Sequence, residues 1–176
     1  TFAGAGNTAT IFVPLSATAN AIEVNVGEAS LVYNVILRNF GMGPRTGVSP
    51  TITAGAMIKI GNVGALHVDN VAIGAFLGES PFTGIFWEGA SQCTFYGFIS
   101  GCSGNGMTFQ CSSTGNIGDV WLLDGSRIDL NAKWAIEIVN AETAHTVEAI
   151  YCGRVSMYGN GFGGSAGGIH FYGLSG

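Results

Sequence analysis

Residues 66–73 read LHVDNVAI, and residues 150–157 read IYCGRVSM. Apolar side chains take the first, third, sixth and eighth places of both. An interval of two is the period of a strand, because successive side chains leave a strand on opposite faces. The interval of three in the middle lets the chain turn a corner and keep its inward face. The same frame fits Val35, Leu37, Phe40 and Met42 in VILRNFGM. It fits Cys93, Phe95 and Phe98 in CTFYGFIS, with Ser100 last, and Leu123, Ile128 and Leu130 in LDGSRIDL, with Gly125 second. The five starts lie 31, 27, 30 and 27 residues apart. A period of that length marks a solenoid or array.

A second repeat alternates with the first. It is a short strand with two apolar residues two apart: Ile22 and Val24, Ile58 and Ile60, Ile85 and Trp87, Met107 and Phe109, Ile136 and Ile138, Ile169 and Phe171. Gly84, Gly106 and Gly168 precede three of them. Three short strands per unit of roughly 29 residues describe one coil of a parallel β-helix. The expectation is an all-β, single-stranded parallel β-helix of about five coils, right-handed because parallel crossovers strongly prefer that hand. Leu66, Val68, Val71, Ile73, Ile150, Cys152, Val155 and Met157 are predicted to be buried, with Trp87 stacked over Phe109.

Composition agrees with this reading. Charged residues make up only 10% of the 176 residues, against 47% apolar, far below the usual charged share of about a quarter. Long helices need charged and straight-chain residues on their outer faces, so the composition argues against a long helical bundle. The 29 glycines fall mostly between the apolar pairs, where turns are needed. The net charge is −5 with six basic residues, too few and too scattered for a nucleic-acid surface. No apolar run approaches the ~20 residues of a membrane span. The four cysteines have no zinc-like spacing, and no metal or cofactor is expected. Cys93 and Cys152 are read as inward thiols, and a Cys102–Cys111 disulfide is left open.

Residues 1–176 are read as one domain, with residues 1–20 as an entering or partial coil. The start TFAGAGNTAT has neither the basic region nor the apolar core of a signal peptide, and the chain is read as a piece of a longer protein. Residues 43–55, 78–84, 111–121, 140–147 and 159–168 are expected to leave the coils as loops, where function is commonly carried.

The corner pairs Arg38-Asn39 and Asp69-Asn70 resemble the asparagine-bearing bend of the pectin-lyase-like superfamily of right-handed β-helices. The later corners depart from it: Tyr96-Gly97, Ser126-Arg127 and Gly153-Arg154. The resemblance is one of rhythm over about residues 21–176, and no enzyme signature of the superfamily is matched residue by residue. Within that fold the chain is more similar to bacteriophage tailspikes than to compact secreted pectinases. The resemblance implies a chain in a virion or extracellular fibre, commonly a homotrimer, that binds and in some cases cleaves surface polysaccharide. A bacterial glycoside hydrolase or polysaccharide lyase is one alternative, and a non-enzymatic adhesin or structural solenoid is another.

Stacked coils would place Glu23, Lys59, Phe86, Thr108, Glu137 and His170 in one outward column. Asn25, Gly61, Glu88, Gln110, Val139 and Tyr172 would form the next. The resemblance implies a glycan groove on such a face. Phe86 and Tyr172 are candidates to cover the apolar side of a sugar ring, and Gln110 and the glutamates to bond its hydroxyls. A solvated or subunit-facing sheet is the competing reading. Glycoside hydrolysis needs two carboxylates roughly 5–9.5 Å apart. Glu88 and Glu137 are the acid/base candidates, although two coils of stacking put them about 11–12 Å apart. Asp119, Trp121 and Asp124 form the alternative site, in an acidic group with Asp129 beside Arg127 and Arg154, which share a corner column in this frame. Such a group is more often a surface ion-pair network.

Overall fold

The computed structural model describes residues 1–7, 9–75, 79–111, 115–139, 145–162, 164 and 166–172. Among these there are strands, turns and no helix, and the strands are paired in parallel in a β-solenoid of about five turns. The sequence period therefore reports the architecture. Parallel stacking requires each strand to meet its copy one turn later, which only a fixed period provides.

The first face carries the second repeat. Ile22 stands beside Ile58, Ile58 beside Ile85, Ile85 beside Met107, Met107 beside Ile136, and Ile136 beside Ile169. Every pairing agrees with the predicted column. Ile58, Ile60, Ile85, Trp87, Met107 and Phe109 are all fully buried. Each such side chain contributes about 1.5–3 kcal/mol on leaving water. Trp87 and Phe109 stack with ring centroids 5.6 Å apart and planes 9° from parallel. The Trp87 indole N–H has no hydrogen-bond partner among the described residues. That costs about 1–3 kcal/mol, which the large area the ring removes from water outweighs.

A turn holds four short runs where the sequence predicts three. After the first face, Val63, Ala90 and Ile117 form a brief extra rung, buried and in register. The chain then bends at Asn34, Ala65, Gln92 and Asp119. These four stand one above another, and all have φ between 53° and 57°. Left-handed backbone is unfavourable for residues with a Cβ. Here the conformation is held by the ladder on either side. Only Asn34 and Asp119 are residue types that suit it well, so the sequence gives weak notice of the corner.

Beyond this bend Leu37, Val68, Phe95 and Leu122 share one inward column. The next bend uses Asn39 and Asn70, with φ of 59° and 51°. Asn70 Nδ2 donates to Asn39 Oδ1 at 2.9 Å, and Asn7 Nδ2 donates to Asn70 Oδ1 at 3.1 Å. The third coil omits this residue: Asp69 pairs with Tyr96 and Val71 with Gly97, with a register shift between. The chain can run straight through because residue 97 is glycine. A Cβ there would lie 2.2 Å from the Val71 carbonyl oxygen.

That omission corrects the frame at the third and fourth corners. Ile99, not Phe98 or Ser100, takes the inward place beside Ile73, and Ile128 stands beside Ile99. Val120 and Leu122, not Leu123 and Gly125, pair with Cys93 and Phe95. Leu123 and Leu130 are exposed. The starts thus fall at Val35, Leu66, Cys93, Val120 and Ile150. The expected bulge at 111–121 is in its second half a ladder strand, Ile117–Leu122.

The last coil is a second correction. Ile150, Val155 and Met157 are only half-buried and Cys152 is exposed, because the described chain places no further coil over them. Cys152 still sits in the inward column beside Leu122. A different asparagine ladder closes this end. Asn131 Nδ2 donates to Asn160 Oδ1 at 2.7 Å, and Cys102 N–H donates to Asn131 Oδ1 at 3.1 Å. All four cysteines are free thiols, so no Cys102–Cys111 bridge exists. Residues 78, 112–114, 140–144, 163 and 165, parts of four expected loops, lie outside the described residues.

Candidate functional site

The first face places its outward residues as the sequence predicts. Glu23 neighbours Lys59, Lys59 neighbours Phe86, Phe86 neighbours Thr108, Thr108 neighbours Glu137, and Glu137 neighbours His170. Gln110, Val139 and Tyr172 follow in the adjacent column. Above the first column lies a cleft of about 340 Å³ lined by Asn20, Gly55, Ala56, Lys59, Phe82, Thr83, Phe86, Asn105, Thr108, Gln110, Lys133 and Glu137.

Three predicted residues therefore share one cleft: Phe86, Gln110 and Glu137. Glu88 and Tyr172 do not line it. Glu88 instead meets Lys59, with Nζ 2.7 Å from Oε1. The same ammonium lies 5.6 Å from the centre of the Phe86 ring, a cation–π distance. Glu137 is held at both oxygens. Asn105 Nδ2 donates to Oε2 at 2.6 Å, and His170 Nδ1 lies 3.2 Å from Oε1. His170 stacks flat on Trp134, at 4.5 Å and 12°.

Asn105 organises this wall. It is buried, donates also to Thr108 Oγ1 at 3.1 Å, and accepts from the Trp134 N–H at 3.2 Å. A buried amide with all of these partners fixes the Glu137 carboxylate at a defined point of the cleft. Sequence reasoning missed Asn105, Phe82, Lys133 and Trp134. They come from turns before the strands, and a period found in strands carries no information about where a turn folds back.

The alternative site is a separate place. Trp121 and Tyr151 are ladder neighbours whose rings stack at 5.3 Å and 14°. With Tyr96 and Asp124 they line an open recess of about 590 Å³. The Tyr151 hydroxyl lies 3.5 Å from Asp119 Oδ1. Asp124 accepts from the Arg154 N–H and Nε, each at 2.8 Å. These two bonds hold its carboxyl below the usual aspartate range. Trp121 and Tyr151 each give one ring face to the other.

The acidic group does not act together. Asp129 is buried and accepts from Arg127, Ser156 and the Tyr158 N–H. Arg127 stands level with Ser156, not with Arg154. Each arginine takes its own aspartate, as an ion-pair network does. No group of three or more His, Cys, Asp or Glu among the described residues is arranged to hold a metal ion. No helix among them is long and apolar enough to cross a membrane. No protein-family model matches the chain, and no curated protein or solved structure matches it.

Proposed function

We propose that this chain is a glycan-recognising segment of a β-solenoid spike, of the kind that forms phage tailspikes and related virion fibres, and that it binds bacterial surface polysaccharide on its first face. The observation that carries this reading is the cleft. It puts two phenylalanines beside three amides, two hydroxyls, a fixed carboxylate and two ammonium groups, on a rigid sheet whose columns run along the solenoid axis. Aromatic faces suit the apolar side of a pyranose, and the fixed polar groups suit its hydroxyls. A linear polymer suits a surface that repeats along one axis.

Binding is favoured over cleavage by the arrangement of the carboxylates. Glu88 accepts from Lys59, and Glu137 accepts from Asn105 and stands against His170. Neither is disposed as a free proton donor. The test is a bacterial glycan array followed by mass spectrometry of the incubated glycans. Phe86→Ala and Gln110→Ala are expected to abolish capture without new products. Reducing ends or unsaturated sugars, lost in Glu137→Gln, would make the chain a glycoside hydrolase or polysaccharide lyase. Capture that survives loss of both Phe86 and Gln110 would exclude this face. A homotrimer is part of the proposal, and sedimentation giving a stable monomer at micromolar concentration would remove it.

A further inference from the structure

The chain carries eleven acidic and six basic residues, yet around the cleft the two signs balance, Lys59 and Lys133 standing with Glu88 and Glu137. Two of the six cations, Lys59 and Lys133, line it against a single carboxylate, Glu137. The aromatic recess and the two apolar pockets at Ile136 and Val13 have no lysine or arginine in their linings. The charges of the cleft are also not equivalent. Lys59 is neutralised by Glu88 at 2.7 Å. Glu137 is engaged by Asn105 and His170. Lys133 is exposed and has no ion pair among the described residues. Its backbone is nevertheless fixed, because its N–H donates to the Gly104 carbonyl at 3.1 Å.

We infer that the cleft takes an acidic glycan, with the anionic substituent of the sugar, a carboxylate or a phosphodiester, seated on the Lys133 ammonium. This rests on the glycan reading above and names the class of glycan. An uncompensated ammonium on a flexible stem is a point charge that adapts to either anion. A charge-assisted contact is the strong kind of hydrogen bond. The excess negative charge elsewhere on the chain repels an acidic polymer. Discrimination therefore falls to the one wall where the negative charge is balanced and an ammonium is left without an ion pair. Lys59, already satisfied, keeps Glu88 from opposing the ligand.

The experiment uses the full chain and matched bacterial glycans: uronate-bearing, phosphodiester-linked and neutral. The acidic members are expected to bind, and to lose binding after carboxyl reduction or dephosphorylation, respectively. These treatments identify which anion is read. Lys133→Gln is expected to weaken binding about 10-fold, Lys133→Arg to retain it, and added salt to weaken it in the wild type. Thermal melts of both variants at the wild-type temperature would show that the fold is unchanged. Equal binding of neutral glycans, or acidic binding that ignores Lys133→Gln, overturns the inference and leaves the glycan reading standing. Binding to none of the glycans overturns both.

Discussion

At the scale of single residues, the groups that hold neighbouring coils together are buried and polar. Asp129 is 1% exposed and ties its own coil to the next through Ser156 and the Tyr158 N–H, while Arg127 covers it from the solvent side. Asp129→Ala leaves these donors without an acceptor, and the expected loss is about 3–5 kcal/mol in denaturant unfolding. Removing Asp124 is expected to change little, because its ion pair with Arg154 lies in solvent. The thiols provide a second residue-level prediction. Burial pushes Cys93 up to about 11 and raises Cys102 and Cys111 as well, which favours the neutral thiol. Iodoacetamide at pH 8 is therefore expected to alkylate Cys152 first, even though burial raises this thiol too, because it is the exposed one. Mass spectrometry showing Cys102 modified before Cys152 would contradict this order.

At the scale of strands and corners, inward columns were legible because burial acts on every second residue and repeats with the coil. All six apolar pairs of the first face stand in the predicted register. The frame slipped where one residue is missing at a bend. Phe98 and Leu123 have apolar side chains, so hydrophobicity alone accepts them, and only the ladder reveals that Ile99 and Leu122 are inside. Phe98 instead faces out, with the Arg127 guanidinium 5.2 Å from its ring. The candidate site was legible only as placement. Phe86, Gln110 and Glu137 lie on strands and were found, whereas Asn105 and Lys133 reach the cleft from turns and were not. The shortened corner also makes a prediction. Gly97→Ala drives a methyl group into the Val71 carbonyl, which belongs to backbone and cannot rotate away. The expected destabilisation is about 1–3 kcal/mol or more, read from the thermal midpoint. A neutral result would mean that the third coil can separate from the second.

At the scale of the whole molecule, order is graded along the axis. Central coils bury their rungs on both sides, whereas Ile169, Phe171 and Tyr172 at one end are 44%, 59% and 62% exposed. Stability in such a stack is the sum of a coil's own terms and its two interfaces. Amide hydrogen exchange is expected to be slowest across Ile58–Ile60, Ile85–Trp87 and Met107–Phe109 and fastest across Ile150–Cys152 and Ile169–Tyr172. Uniform protection would show that the terminal coil is covered in solution. The coil that lacks a counterpart to Asn70 also bears on how such chains tolerate insertions and deletions over evolutionary time. Removing one residue from within a strand reverses the side-chain parity of everything after it. Removing one at a left-handed corner does not, because that residue lies outside the in–out alternation and its side chain bonds along the corner column instead. Length changes of a single codon should therefore accumulate at the positions of Asn39 and Asn70 and be purged at Val68 or Phe95. Deleting Asn70 together with Val71→Gly should reproduce the third coil's solution in the second and yield folded protein, whereas deleting Val68 should yield none. Such corners would let lineages adjust coil length one residue at a time while the first face stays in phase.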